Sequence, residues 1–137
     1  MKVQLGKHRK NRKQKVEIEK FDTWNLDHTL SLIIWPSLVQ LKETGHGIFW
    51  VDQKDLPEDL QYIFPEDPSD YNERQEKQRI TQYEWVMDEM IWAMSQIANE
   101  TPDEPMITDN KNAFKKYHER IQNGCELFGK YFRNLWD

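Results

Sequence analysis

The stretch ITQYEWVMDEMIWAMSQIA, residues 80–98, decides how this chain is read. Ile80, Tyr83, Met87, Met90, Met94 and Ile97 recur at steps of three and four, and Val86, Ile91 and Ala98 widen the stripe. That repeat is helical. The longest helix is therefore expected from about Asn72 to about Asn99, ended by Thr101, Pro102 and Pro105. Working outward, a helix on the N-terminal side begins at Asn25 as N-cap, with Asp27 and His28 in its first turn. It carries Leu30, Ile33, Ile34, Leu38 and Leu41 on one face and closes at Gly45. Pro36 lies inside it and cannot donate to the Leu32 carbonyl, so a kink is expected there. On the C-terminal side a helix follows Asp109 or Asn110, with Ala113, Tyr117, Ile121, Gly124, Phe128, Tyr131 and Leu135 on one face. Residues 45–72, broken by Gly45, Gly47, Pro57, Pro65 and Pro68, read as mostly connection, in which Asp55-Leu56-Pro57-Glu58 can start one short turn of helix.

Near the start, Val3 and Leu5, then Val16 and Ile18, alternate with polar residues at the period of a strand. Between them, residues 6–14 are polar and basic, which gives a β-hairpin with a charged loop or else a disordered arm. The fold class is α+β, mainly α: three long amphipathic helices with a small N-terminal β-hairpin or arm. At 137 residues the chain suits one domain, able to bury roughly 65–70% of its unfolded surface without disulfide or metal. Its single cysteine, Cys125, cannot form an internal bridge and fits a reducing compartment. The first residues do not read as a signal peptide, and no run approaches the ~20 apolar residues of a membrane span, so a soluble intracellular protein is expected.

Charge divides the chain. Residues 1–20 hold eight Lys/Arg against Glu17 and Glu19, whereas residues 21–137 hold 11 basic and 22 acidic side chains. A basic N-terminal arm thus precedes an acidic helical body, and the arm can attract anions that the body repels. Its tract Lys7, Arg9, Lys10, Arg12, Lys13 and Lys15 has no interleaved aromatic residue, so it suits phosphate contacts rather than base reading. The same tract also reads as a solubilising loop paired with acidic surface.

Candidate ligand residues lie on the helices. Asp27 sits where the positive end of the helix dipole favours a carboxylate, and His28 beside it offers an imidazole for ligation or proton transfer. The alternative is an ordinary helix start with a satisfied histidine. Glu84, Asp88 and Glu89 form an acidic band among Trp85 and Trp92, where indoles can desolvate the acids, stack on a base or hold a cation. Equally, the rings fill the core and the acids face water. No Glu-x-x-His pair, His-Glu-x-x-His, Cys-x-x-Cys pair, EF-hand loop, phosphate-binding glycine loop or Gly-x-Ser-x-Gly occurs. Neither catalytic residues, a metal nor a cofactor is assigned, and Cys125 beside Gly124 reads as a small packing residue.

Several segments taken together resemble an uncharacterised family of small proteins of tailed bacteriophages, marine ones especially. They are Asp22-Thr23-Trp24-Asn25-Leu26-Asp27-His28-Thr29-Leu30, Pro36 with Leu38-Val39-Gln40-Leu41-Lys42, His46-Gly47, and Trp85-Val86-Met87-Asp88-Glu89-Met90-Ile91. Further segments are Val51-Asp52, Leu56-Pro57, Arg120-Ile121-Gln122-Asn123-Gly124 and Leu127-Phe128-Gly129-Lys130-Tyr131 through Trp136-Asp137. The resemblance covers most of residues 16–137 and implies a viral protein working in the cytoplasm of an infected bacterial host. It implies no mechanism, but its matching positions are rich in polar groups, which suggests a shared polar pocket or interface.

The leading expectation is a non-enzymatic accessory protein that binds an anionic partner, either a nucleotide-like ligand such as a host defence signal or nucleic acid. Its ligand-binding residues would be Trp24, Asp27, His28, Trp85, Asp88, Glu89, Trp92, Arg120 and Lys130, with the basic tract engaging phosphate. One alternative is a metal-dependent nucleotide hydrolase using Asp88, Glu89 and His28. Another is a structural or host-protein-interacting component, self-associated or docked through the Met87, Met90 and Met94 stripe. No membrane partner is expected.

Overall fold

Asn72 starts the longest helix by reciprocal capping: its side chain accepts from the Gln75 amide at 2.9 Å, and the Gln75 side chain accepts from the Asn72 amide at 3.0 Å. The computed structural model describes residues 1–4 and 15–136. In it β1 (Lys2–Gln4) pairs antiparallel with β2 (Lys15–Glu17), and three helices follow: α1 (Leu26–Thr44), α2 (Glu73–Ala98) and α3 (Lys111–Tyr131). Short 3-10 turns at 20–23, 53–55, 58–60, 68–70 and 132–134 join or end them. The architecture is thus mainly α with a small N-terminal sheet. Lys7, Arg9, Lys10, Arg12 and Lys13 lie outside the described residues, and Lys15 enters as the first residue of β2.

Helix limits follow the capping chemistry. Asn110 accepts from the Ala113 amide at 3.0 Å to open α3, while Asn25 opens α1 without a side-chain cap bond. α1 is one helix through Pro36, and the Ser37 hydroxyl donates to the Ile33 carbonyl at 2.7 Å beside it. Gly45 ends α1 in an extended conformation rather than a left-handed one. A Cβ there would meet the Leu41 carbonyl oxygen at 2.5 Å, which accounts for the glycine.

α2 is the middle helix, with α1 and α3 packed along different flanks. Val86, Met87, Met90 and Ala93 are fully buried on it, and Leu38, Leu127, Val51 and Leu56 close the core around them. Phe49 enters from the connection, edge-on to Tyr83 and stacked on Tyr131, each at 4.9 Å between centroids. The methionine stripe is therefore core, which removes it as an exposed docking face. Among the described residues no helix is long and apolar enough to cross a membrane.

Gly124 sets the distance between α2 and α3. A Cβ at this position would fall 2.4 Å from the Ala93 Cβ and 2.8 Å from the Glu89 carbonyl oxygen. The backbones approach more closely than any side chain allows. Gly124→Ala should therefore lower stability by about 1–3 kcal/mol despite its better helix propensity, by forcing the helices apart. Urea unfolding checks this: a midpoint equal to or above that of the wild type would show that the interface absorbs the methyl.

Candidate functional site

The nine ligand candidates do not gather into one site. Trp24 is 76% exposed and lies tilted against Phe21 at 5.6 Å. Asp27 and His28 line a cleft of about 620 Å³ where the start of α1, the end of α2 and the middle of α3 converge. Trp85 packs half-buried against the core. Lys130 lies towards the other end of α3 in a network with Asp52 and Asp55.

The acidic band of α2 divides between its two neighbours. Asp88 pairs with Lys42 of α1 at 2.5 Å, whereas Glu89 accepts from Arg120 Nε of α3 at 3.0 Å. Adjacent residues on a helix are separated by about 100° and so face different flanks. Arg120 also lies 3.8 Å from the centre of the Trp92 ring, and Trp92 meets Tyr117 edge-on at 5.6 Å. The indole face suggested for a base is thus covered by the protein's own guanidinium. Among the described residues no three His, Cys, Asp or Glu side chains gather as a metal site.

His28 does structural work within the cleft wall. Its Nδ1 is 3.1 Å from the Ile97 carbonyl oxygen, and because a carbonyl only accepts, this nitrogen is the donor. The bond ties the first turn of α1 to the last turn of α2, at a carbonyl that also accepts from the Glu100 amide at 3.4 Å. Cys125 and Gln122 of α3 complete the opposite wall with His118, whose Nε2 is 2.9 Å from Glu104. Burial, helped by the charges of Asp27 and Glu126, pushes the Cys125 thiol up in pKa, which disfavours a thiolate nucleophile. After α2 the chain turns through Glu100 and Thr101, both with positive φ, 58° and 55°. Neither is glycine, and the Thr101 amide donates to the Gln96 carbonyl at 2.7 Å to hold the turn.

Sequence periodicity missed two buried glutamines that organise the loops. Gln82 donates to the Leu60 carbonyl at 2.7 Å and to Gln53 Oε1 at 2.9 Å, and Gln53 Oε1 also accepts from the Tyr62 amide. Gln96 donates to Asp103 at 2.8 Å and accepts from the Tyr117 hydroxyl at 2.6 Å. A polar residue inside an apolar stripe was the available signal for both. A second unforeseen feature is an aromatic cluster of Trp50, Phe64, Tyr62 and Tyr71, with Arg79 3.6 Å from the centre of the Trp50 ring. Ile63, beside these rings in sequence, is 96% exposed.

Comparison with family models, curated proteins and solved structures gives no match for the chain, so its geometry and chemistry must carry the functional reading.

The Lys130 network has a defined pH response. The Tyr131 hydroxyl donates to Asp55 at 2.7 Å and accepts from the Asp52 amide at 2.9 Å, while Lys130 pairs with Asp55 at 2.5 Å and Asp52 at 3.2 Å. Burial first, and Asp55 second, push the Tyr131 hydroxyl up to about 12; Asp55 raises Lys130 as well. The folded state therefore holds these protons more tightly than the unfolded chain. Their contribution is complete below the unfolded values and is lost as pH rises through the folded ones. The urea midpoint should fall between pH of about 10 and 12, and Tyr131→Phe should start lower but fall less steeply. Parallel declines for the two proteins would show that Tyr131 is not among the linked groups.

Proposed function

We propose that this chain is a bacteriophage accessory protein that acts in the cytoplasm of an infected bacterium by holding a phosphate-bearing partner without converting it. The resemblance over residues 16–137 supports the viral setting. Division of charge supports the anionic partner: residues 1–20 are strongly basic, and the remainder is strongly acidic. Nucleic acid is favoured over a free nucleotide, because a nucleotide pocket in the body would draw its phosphate contacts from Arg120 and Lys130. Arg120 instead faces Glu89 and Trp92, and Lys130 faces Asp52 and Asp55. A run of cations without aromatics suits the phosphates of a strand and gives little sequence preference.

The hydrolase alternative draws less support, since Asp88 and Glu89 face different neighbours. A host-protein contact is favoured by one observation, the nearly complete exposure of Ile63 beside the Trp50 cluster.

Fluorescence anisotropy with a labelled mixed-sequence DNA duplex, at roughly 50 to 200 mM salt, tests the polyanion reading. Each phosphate contact contributes about 0.9 to the logarithmic salt slope, so changing Lys7, Arg9, Lys10, Arg12 and Lys13 to Ala should reduce the slope by up to about 4.5. Affinity should fall at least about tenfold at the low-salt end. Equal affinity and equal slope, with an unchanged unfolding midpoint, would exclude the basic tract as the contact.

A further inference from the structure

We propose that the cleft between the start of α1, the end of α2 and α3 binds a small organic cation bearing N–H donors, of the diamine or guanidinium class. Its charge preference is opposite to that of the basic tract. Its volume of about 620 Å³ falls in the range of sites that enclose small molecules.

The lining defines the ligand chemistry. Asp27 and Glu100 supply carboxylates, Gln122 supplies an amide, and among the described residues neither Lys nor Arg lines the cleft. Since the His28 Nδ1 proton is committed to the Ile97 carbonyl, the neutral ring retains Nε2 as an acceptor. Ile97 and Ile121 add apolar surface against which methylene groups can lie. Acceptors around an apolar wall match an alkyl ammonium or alkyl guanidinium, whereas a phosphate would meet two carboxylates, and His118 in the same wall is already paired with Glu104.

The C-terminal end of α2 and the N-terminal end of α1 both reach the cleft, so their dipoles oppose and the carboxylates decide its preference. One further feature agrees in sign. Asp27 and Glu126 also act on the Cys125 thiol as negative charges, which places part of the wall in a field that favours cations. The left-handed turn at Glu100 and Thr101 is held before any ligand arrives, by the Gln96 carbonyl and by the bond from Gln96 to Asp103. Glu100 is thereby kept in the wall by a strained backbone rather than recruited on binding.

Isothermal titration calorimetry with agmatine, which carries both an ammonium and a guanidinium group, provides the test. The full chain should give saturable one-to-one binding, weakened at least about tenfold in Asp27→Asn/Glu100→Gln through loss of charge-assisted bonds. Ile121→Trp, which introduces bulk into the cleft, should also weaken binding, and Glu84→Gln on the exposed face of α2 should leave it unchanged. Loss in Glu84→Gln equal to that in the cleft variants would assign the signal to diffuse acidic surface and overturn the proposal. So would an absence of saturation at about 10 mM agmatine, or tighter binding of inorganic phosphate than of agmatine at a site weakened by Ile121→Trp.

Discussion

The close approach of α3 to α2 at Gly124 is the constraint on which the other distances depend. With no side chain at that position, the helices meet at backbone range beside Ala93 and Glu89. Long side chains on the N-terminal side of the contact then reach across: Tyr117 to Gln96 and Arg120 to Glu89 and Trp92. Farther along α3, Tyr131 reaches Asp52 and Asp55 in the connection. A wider separation would leave a buried hydroxyl and a buried amide without partners, and each orphaned group costs about 1–3 kcal/mol. Close packing at Gly124 and polar satisfaction elsewhere on the interface are thus one requirement.

The two buried glutamines extend that logic to the loops. A connection such as residues 45–72 has little regular hydrogen bonding of its own, so its backbone needs partners from elsewhere. Gln82 takes the Leu60 carbonyl and joins Gln53, which in turn holds the Tyr62 amide. At the opposite end of α2, Gln96 binds Asp103 and Tyr117, fixing the turn that contains Glu100. One helix therefore positions the loops at both of its ends through amides that offer both donors and an acceptor.

What the sequence makes legible is chiefly local. Asn72 and Asn110 mark helix starts because capping concerns a residue and its next few neighbours, Asn25 stands at a start without making the cap bond, and Val3 opposite Val16 follows from strand alternation. Apolar period also identifies the buried face of α2, including Met87 and Met90. It cannot say which neighbour meets each edge of that face. Asp88 and Glu89 therefore read as one acidic band, although α1 draws one and α3 the other. Arg79 on Trp50 and Tyr131 on Asp55 join residues far apart in sequence, and their meeting depends on how the loops return to the helices. Of the candidate cleft, Asp27 and His28 are visible as a helix start. Cys125 and Gln122 become their neighbours only once α1 and α3 both flank α2.

The charge division imposes a limit on how any two sites in this protein can cooperate. An acidic body opposes the approach of a polyanion to the basic tract, but this repulsion fades over a Debye length of about 8 Å at physiological ionic strength. Contacts farther from the body than that are governed mainly by the local cations, whereas contacts nearer to it include the repulsion as well. On the two proposals together, a small cation in the cleft would neutralise part of the charge that repels nucleic acid. Occupancy of the two sites would then be mutually favourable through electrostatics alone, without a conformational change, and linkage requires each ligand to assist the other by the same factor. Because the coupling acts through solvent-accessible charge, it should weaken with salt, unlike a coupling transmitted by repacking around Gly124.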